Sequence, residues 1–157
     1  MKLSTKSGPY GTFDPSLLNR VDEMFQSSNL TQIILHAHLL LEQALDKKIQ
    51  NKLARPDVLN SKKYANFSFA QKVTLFIGLY DPDYDTEDIL LGFNKLRNMI
   101  AHQLVDESDS VYRCLVSPYG TKAPDAISHV KLVFGMIAVN SLNAFDELLW
   151  ETERKSL

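Results

Sequence analysis

The chain is predicted to be all-α, an up-and-down bundle of roughly four to five helices closed by a long C-terminal helix. Three features carry this reading. Apolar residues recur at helical spacing over long stretches, as in Ile33, Ile34, Ala37, Leu41, Ala44 and Leu45. Helix-start signals precede those stretches, notably Asp14-Pro15 and Ser68-Phe69-Ala70-Gln71. Finally, residues 124–155 carry apolar side chains in nearly every direction around a helical axis, the pattern of a buried or shared helix.

Residues 1–13 are polar, punctuated by Gly and Pro, and expected to be a flexible N-terminal segment. Residues 14–157 read as one helical domain. Asp14 caps a short first helix, with Pro15 at its first position, ending near Ser27-Ser28-Asn29. The second helix runs from about Leu30 to Leu53, where Arg55-Pro56 stops it. Residues 56–67 connect to a third helix that opens at the Ser68–Gln71 capping box and ends near Gly78, before the Asp81-Pro82-Asp83 turn. Asp85, Thr86, Glu87 and Asp88 then supply caps and acidic first-turn residues for a fourth helix. Between Asp106 and Gly120 the pattern is ambiguous, and Val111–Val116 fits either a short strand or a helical turn. The last helix, if unbroken over 124–155, is roughly 45 Å long.

At 157 residues and 45% hydrophobic, the chain can bury one ordinary core. The net charge of −2 argues against a dedicated nucleic-acid coat, so any nucleic-acid contact should be local. A single cysteine, Cys114, excludes an intramolecular disulfide and fits a reducing compartment. No apolar run follows the first residues, and no stretch has the length and apolarity of a membrane span. A cytoplasmic protein with no membrane partner is therefore expected.

The candidate chemistry lies in Leu96-Arg97-Asn98-Met99-Ile100-Ala101-His102 of the fourth helix. Counting 100° per residue, Leu90, Phe93, Ile100, Ala101 and Leu104 form an apolar stripe with Arg97 inside it. A charge there needs a partner. Glu42 of the second helix is the expected one, with His38 beside it, since the two are four apart at the edge of that helix's apolar face. Asn98 and His102 are stacked on the adjoining flank.

An Arg beside a His suits a phosphodiester. The guanidinium matches phosphate oxygens, and the imidazole moves protons near neutral pH. RNA supplies its own 2′-OH nucleophile, so neither a metal nor a protein nucleophile is required, and no cofactor is expected. One Arg and one His make a sparse site, whereas a two-fold axis would supply two of each. Lys95, near the motif, is a candidate substrate contact. Lys47, Lys48, Lys52, Arg55, Lys62 and Lys63 form a basic cluster that reads as a solvated face or a guide for an anion.

Other residues carry less. Helix geometry opposes convergence of His36 with His38, so no metal site is expected. His129 falls on a polar flank and is expected to be solvated, and Cys114 has no activating neighbour in sequence. The acidic run Asp81–Asp88 lacks the spacing of a calcium loop.

The Leu-Arg-Asn-Met-Ile-Ala-His stretch, within a helical domain of this size, resembles the HEPN superfamily, whose signature is an Arg followed after four to six residues by a His. The stretch Ala37-His38-Leu39-Leu40-Leu41-Glu42-Gln43-Ala44-Leu45 is similar to the long helix preceding the motif in many small bacterial members. The resemblance implies a homodimer whose two motifs face one another across a cleft. It also implies metal-independent endoribonuclease cleavage leaving a 2′,3′-cyclic phosphate, in toxin–antitoxin or phage-defence biology. Arg97 would stabilise the phosphate, His102 would handle the proton and Asn98 would support them. Toxin-type members often carry Tyr two residues after the His, where this chain has Leu104, which weakens a pairing with a particular antitoxin. The competing reading is a non-catalytic helical interaction or regulatory module in which an Arg97–Glu42 pair is structural. A nucleotide-binding sensor is a third, weaker one.

Overall fold

The computed structural model describes residues 16–62, 66–102, 107–117, 120–140 and 142. Among these residues the chain is all-helical: α1 (Ser16–Gln26), α2 (Leu30–Lys52), a 3-10 turn (Pro56–Asn60), α3 (Phe69–Tyr80), α4 (Tyr84–Ala101), α5 (Glu107–Cys114) and α6 (Ala126–Asn140). The ambiguous Val111–Val116 stretch thus falls mostly in a helix, α5. The Asp14-Pro15 start and the expected C-terminal helix beyond Leu142 lie outside the described residues.

The helix boundaries follow from local chemistry. Asn29 caps α2 by accepting the Gln32 N–H at 3.0 Å. At α3 the capping box is formed in full: Ser68 Oγ accepts the Gln71 N–H at 3.2 Å, and Gln71 Oε1 accepts the Ser68 N–H at 2.8 Å. Asp81 ends α3 in the left-handed region, at φ 46°, a conformation that Asp tolerates better than most side chains. Asp83 precedes α4, and its backbone carbonyl, rather than its carboxylate, accepts the Thr86 N–H at 2.9 Å.

Helix α2 is the centre of the bundle and contacts α1, α3, α4 and α6. Its buried face (Ile33, Ile34, Ala37, Leu41, Leu45, Ile49) meets Phe76 of α3, Phe93 and Leu96 of α4, and Phe134 and Ile137 of α6. Full burial of each such side chain stabilises by roughly 1.5–3 kcal/mol, so this face dominates the stability of the fold.

Contacts along α2 fix the direction of its neighbours. Phe69, at the start of α3, stacks on His38, with ring centroids 4.3 Å apart. Lys72 reaches Glu42 and Asp46, and Tyr80, at the end of α3, donates to the Lys48 carbonyl at 2.7 Å. Rising numbers on α3 meet rising numbers on α2, so the two helices run in the same direction, with residues 53–68 carrying the chain back. The Asp81–Asp83 turn then reverses it, and α4 runs antiparallel to both.

One expectation is corrected. His129 is buried rather than solvated: Nδ1 accepts the Ala123 N–H at 3.3 Å, Nε2 lies 2.8 Å from the Leu115 carbonyl, and the ring packs on Tyr112. An imidazole with both nitrogens engaged is stable inside, and it ties the 115–123 connection to α6. Helix α6 is apolar nearly all round, as expected, but is not buried on every side. Val130, Val133, Phe134, Ile137 and Ala138 are buried, while Leu132 and Val139 face outward.

Helices α4 and α5 pack closely at Gly92. A Cβ built there would lie against the Cys114 carbonyl oxygen, 3.1 Å from its carbon and 3.2 Å from Leu115 Cδ2. Backbone cannot yield as a flexible side chain can, so Gly92→Ala is expected to destabilise by about 1–3 kcal/mol, despite alanine's better helix propensity. At Gly78 the same Cβ meets nothing within 4 Å. Gly78→Ala should therefore stabilise, by about 0.5–1 kcal/mol. Urea denaturation of the two variants checks both signs.

Candidate functional site

The wheel places Arg97 on the inward side of α4, yet Arg97 is exposed, as are Asn98, Ala101 and His102. Height along the helix explains the difference. His38 contacts both Phe69 and Asn94, so the first residue of α3 lies level with Asn94. Beyond Asn94, α4 continues past the start of α3 and loses that neighbour. Leu90 and Phe93 of the expected stripe are buried; Ile89 and Leu96, outside that stripe, are buried too, and Ile100 is half-buried, so burial continues past this level on the Leu96 side. Of the predicted stripe, Ala101 is exposed and Leu104 lies outside the described residues.

The motif therefore occupies an uncovered helix end. Arg97 Nη1 donates to the neighbouring Asn98 Oδ1 at 3.2 Å. His102 is the residue that ends α4, and its N–H donates to the Asn98 carbonyl at 3.1 Å. Cationic side chains suit this position, because the unpaired carbonyls of a helix C-terminus carry partial negative charge. Five positions apart, Arg97 and His102 point about 140° from one another around α4, with Asn98 between them.

The expected Arg97–Glu42 pair is not formed. Glu42 Oε1 accepts instead from Lys72 Nζ at 2.9 Å, and Asp46 shares the same ammonium at 3.0 Å. The antiparallel course of α4 is the reason. Glu42 lies one turn beyond His38 in one direction, and Arg97 lies nearly one turn beyond Asn94 in the other. Sequence spacing revealed the Glu42–His38 proximity but not the direction of α4, and hence not Lys72 as the carboxylates' partner.

Around His38 a polar cluster thus joins three helices. His38 is buried, with Nε2 3.3 Å from Asn94 Oδ1. Burial pushes its pKa below the ordinary 6.5, against the opposing influence of Asn94 and Glu42, and the nearby charges of Arg97 and Lys72 push the same way as burial. Burial also raises the Asp46 carboxyl, against Lys72. For Lys72, burial opposes the charge, but the two carboxylates outweigh it and hold the ammonium protonated. Asn94, Lys72 and Asp46 were not anticipated as members. Two signals pointed to them: Asn94 precedes Asn98 by one turn, and Glu42 and Asp46 are an i, i+4 carboxylate pair that requires a cation.

Comparison with protein-family models, with curated proteins and with solved structures finds no match. The site rests on its own geometry.

The remaining candidates separate from it. Lys95 is exposed, but its charge acts on Cys114, which places it toward α5 and away from Arg97. Burial raises the Cys114 thiol, so the inert reading of that cysteine agrees with its surroundings. His36 is half-buried, and its Nδ1 lacks a hydrogen-bond partner among the described residues, which hold no group of His, Cys, Asp or Glu able to bind a metal. Lys48 and Lys52 lie over the Tyr80 ring at 5.5 and 5.0 Å. That end of α2 is about 25 Å from the level of Arg97, so Lys48 and Lys52 are not part of the motif's surface. Among the described residues no helix is long and apolar enough to cross a membrane.

Two measurements follow from this geometry. Because Arg97 is exposed and its hydrogen bond is to its own neighbour, Arg97→Ala should change stability by no more than about 0.5 kcal/mol, not the roughly 3–5 kcal/mol of a broken buried ion pair. Thermal denaturation distinguishes the two. For His38, a depressed pKa in the fold means that the unfolded chain binds more protons, so stability is full above pH 6.5 and declines as pH falls toward the folded value. Urea unfolding of wild type and His38→Gln between pH 5 and 7 should show this acid slope in wild type and a shallower one in the variant.

Proposed function

We propose that the protein is a metal-independent endoribonuclease of HEPN type, in which Arg97 binds the scissile phosphate, His102 moves the proton and Asn98 supports them. The observation that carries this reading is the state of Arg97, whose expected carboxylate partner is taken by Lys72, leaving the guanidinium exposed at the end of α4. The competing module reading rested on a structural Arg97–Glu42 pair, and it loses that support.

In this mechanism the 2′-OH of the RNA attacks the adjacent phosphorus and the 5′-oxygen of the next nucleotide leaves, giving a 2′,3′-cyclic phosphate. Arg97 neutralises charge gathering on the non-bridging oxygens. His102 takes the hydroxyl proton while water protonates the leaving oxygen, or delivers a proton to the leaving oxygen while water takes that of the hydroxyl, and no metal or other cofactor takes part. The divergence of Arg97 and His102 around α4 favours a homodimer, in which Arg97 of one copy and His102 of the other share a phosphate. Leu35, 41% exposed on α2 and level with Arg97, supplies apolar surface for such a contact. Lys95 is a contact for RNA outside the scissile step. We further place the enzyme in the cytoplasm, in toxin–antitoxin or phage-defence biology, under control of an antitoxin or regulatory protein.

Purified protein incubated with structured RNA in EDTA tests the proposal. Wild type should cleave and leave cyclic phosphate ends, and Arg97→Ala and His102→Ala should each lose about 10²–10⁴-fold in rate. Equal cleavage by all three would assign the activity to a contaminant.

A further inference from the structure

The Arg97–Asn98 pair turns one kind of group outward. Arg97 Nη1 donates to Asn98 Oδ1 at 3.2 Å. A guanidinium carries donors only, whereas a side-chain amide has an oxygen that accepts and an NH2 group that donates. The contact with Arg97 therefore fixes which way round the amide lies: its oxygen faces the guanidinium and its nitrogen is turned away. Asn98 is exposed, and that nitrogen has no hydrogen-bond partner among the described residues. The backbone of Asn98 is held as well, because its carbonyl accepts the His102 N–H at 3.1 Å at the close of α4. With its acceptor turned inward, Asn98 offers N–H groups to solvent, as Arg97 does. A permanent charge beside a second set of donors suits a ligand that supplies acceptors alone. The non-bridging oxygens of a phosphodiester are such acceptors.

We propose that Asn98 is itself a phosphate contact: it donates from its amide nitrogen to the same anion that Arg97 binds. The inference deepens the ribonuclease reading and rests on it, since the anion there is the RNA backbone, but binding can be measured without cleavage. Asn98 stands between Arg97 and His102 around α4, so the oxygen that it holds lies toward the His102 flank. The contrasting role is indirect, with Asn98 acting only by steadying the guanidinium.

The experiment measures binding of a 2′-O-methyl RNA oligonucleotide, which keeps the phosphates and lacks the attacking hydroxyl, by fluorescence anisotropy in EDTA. Asn98→Ala should weaken binding about tenfold, the loss expected for one hydrogen bond to a charged oxygen. The deciding comparison repeats the substitution without the guanidinium. In the Arg97→Ala background, Asn98→Ala should weaken binding severalfold again, because the amide meets the phosphate directly. An Asn98 that acts only by holding Arg97 is silent in that background, and such silence overturns the proposal. A second readout is the side-chain NH2 pair of Asn98 in an amide correlation spectrum, assigned by its absence in Asn98→Ala. Those resonances should move as the oligonucleotide is added. Resonances that stay in place, or a wild type that does not bind the strand, also overturn the proposal. Both side chains are exposed, so the variants should melt as wild type does. Cleavage of unmodified RNA is a separate arm: a wild type that cleaves none ends the ribonuclease reading, whereas Asn98-dependent binding of the uncleavable strand sustains this contact.

Discussion

Helix α3 starts at Phe69, held there by the Ser68–Gln71 capping box and by the stacking of Phe69 on His38, and this boundary governs the surface around the motif. Below it, α4 packs against its neighbours and its inward positions are Leu90 and Phe93, both fully buried. Above it, the same angular positions are Arg97 and Ala101, and they meet solvent. A capping box fixes a helix start to within a residue because two backbone N–H groups are satisfied by one reciprocal pair of side chains. A start one turn earlier would lay α3 alongside Arg97 and require a partner for its charge. The uncovered helix end is thus set by local chemistry on a different helix.

The same boundary organises the charges. Lys72 is four residues from Ser68, one turn into α3, and so meets α2 one turn beyond His38, where Glu42 stands, with Asp46 a further turn on. Burial disfavours each of these charges singly, and the shared ammonium offsets that cost. His38 lies between this group and Arg97. Its neutral form is the compatible one, because burial disfavours the charged ring and the charges of Arg97 and Lys72 add to that. Neutral His38 and paired Lys72 together separate the motif's charge from the interior.

Much of the fold was legible in the sequence, and the parts that were not share a physical cause. The extent of α2, the capping box at Ser68 and the turn at Asp81 are written in nearest-neighbour chemistry, which acts whatever the rest of the chain does. The wheel of α4 placed Leu90 and Phe93 correctly and missed the buried Ile89 and Leu96. Periodicity, however, records direction around an axis and not whether a neighbour is present at a given height, so Arg97 was expected inside. His129 failed for a related reason. Its neighbours in sequence are polar or mixed, whereas its partners, the Leu115 carbonyl and the Ala123 N–H, are backbone groups in a connection that no side-chain pattern reports. Glu42 was correctly set beside His38, but its true partner depends on α3 running along α2 in the same direction, a consequence of where residues 53–68 lead the chain.

The geometry of α4 constrains any chemistry at its end. Side chains five apart diverge by about 140°, and the carbonyls that close the helix repel an anion approaching along the axis. A phosphate must therefore approach from the side, where it meets either the Arg97 flank or the His102 flank, with Asn98 accessible from both. A single copy offers a charge or a proton carrier to one phosphate, but not both in line. In the proposed homodimer a two-fold axis would remove the conflict by letting the Arg97 flank of one copy face the His102 flank of the other. Activity that rises with the square of protein concentration at high dilution would fit that arrangement, and strictly linear dependence would leave each helix end to act alone.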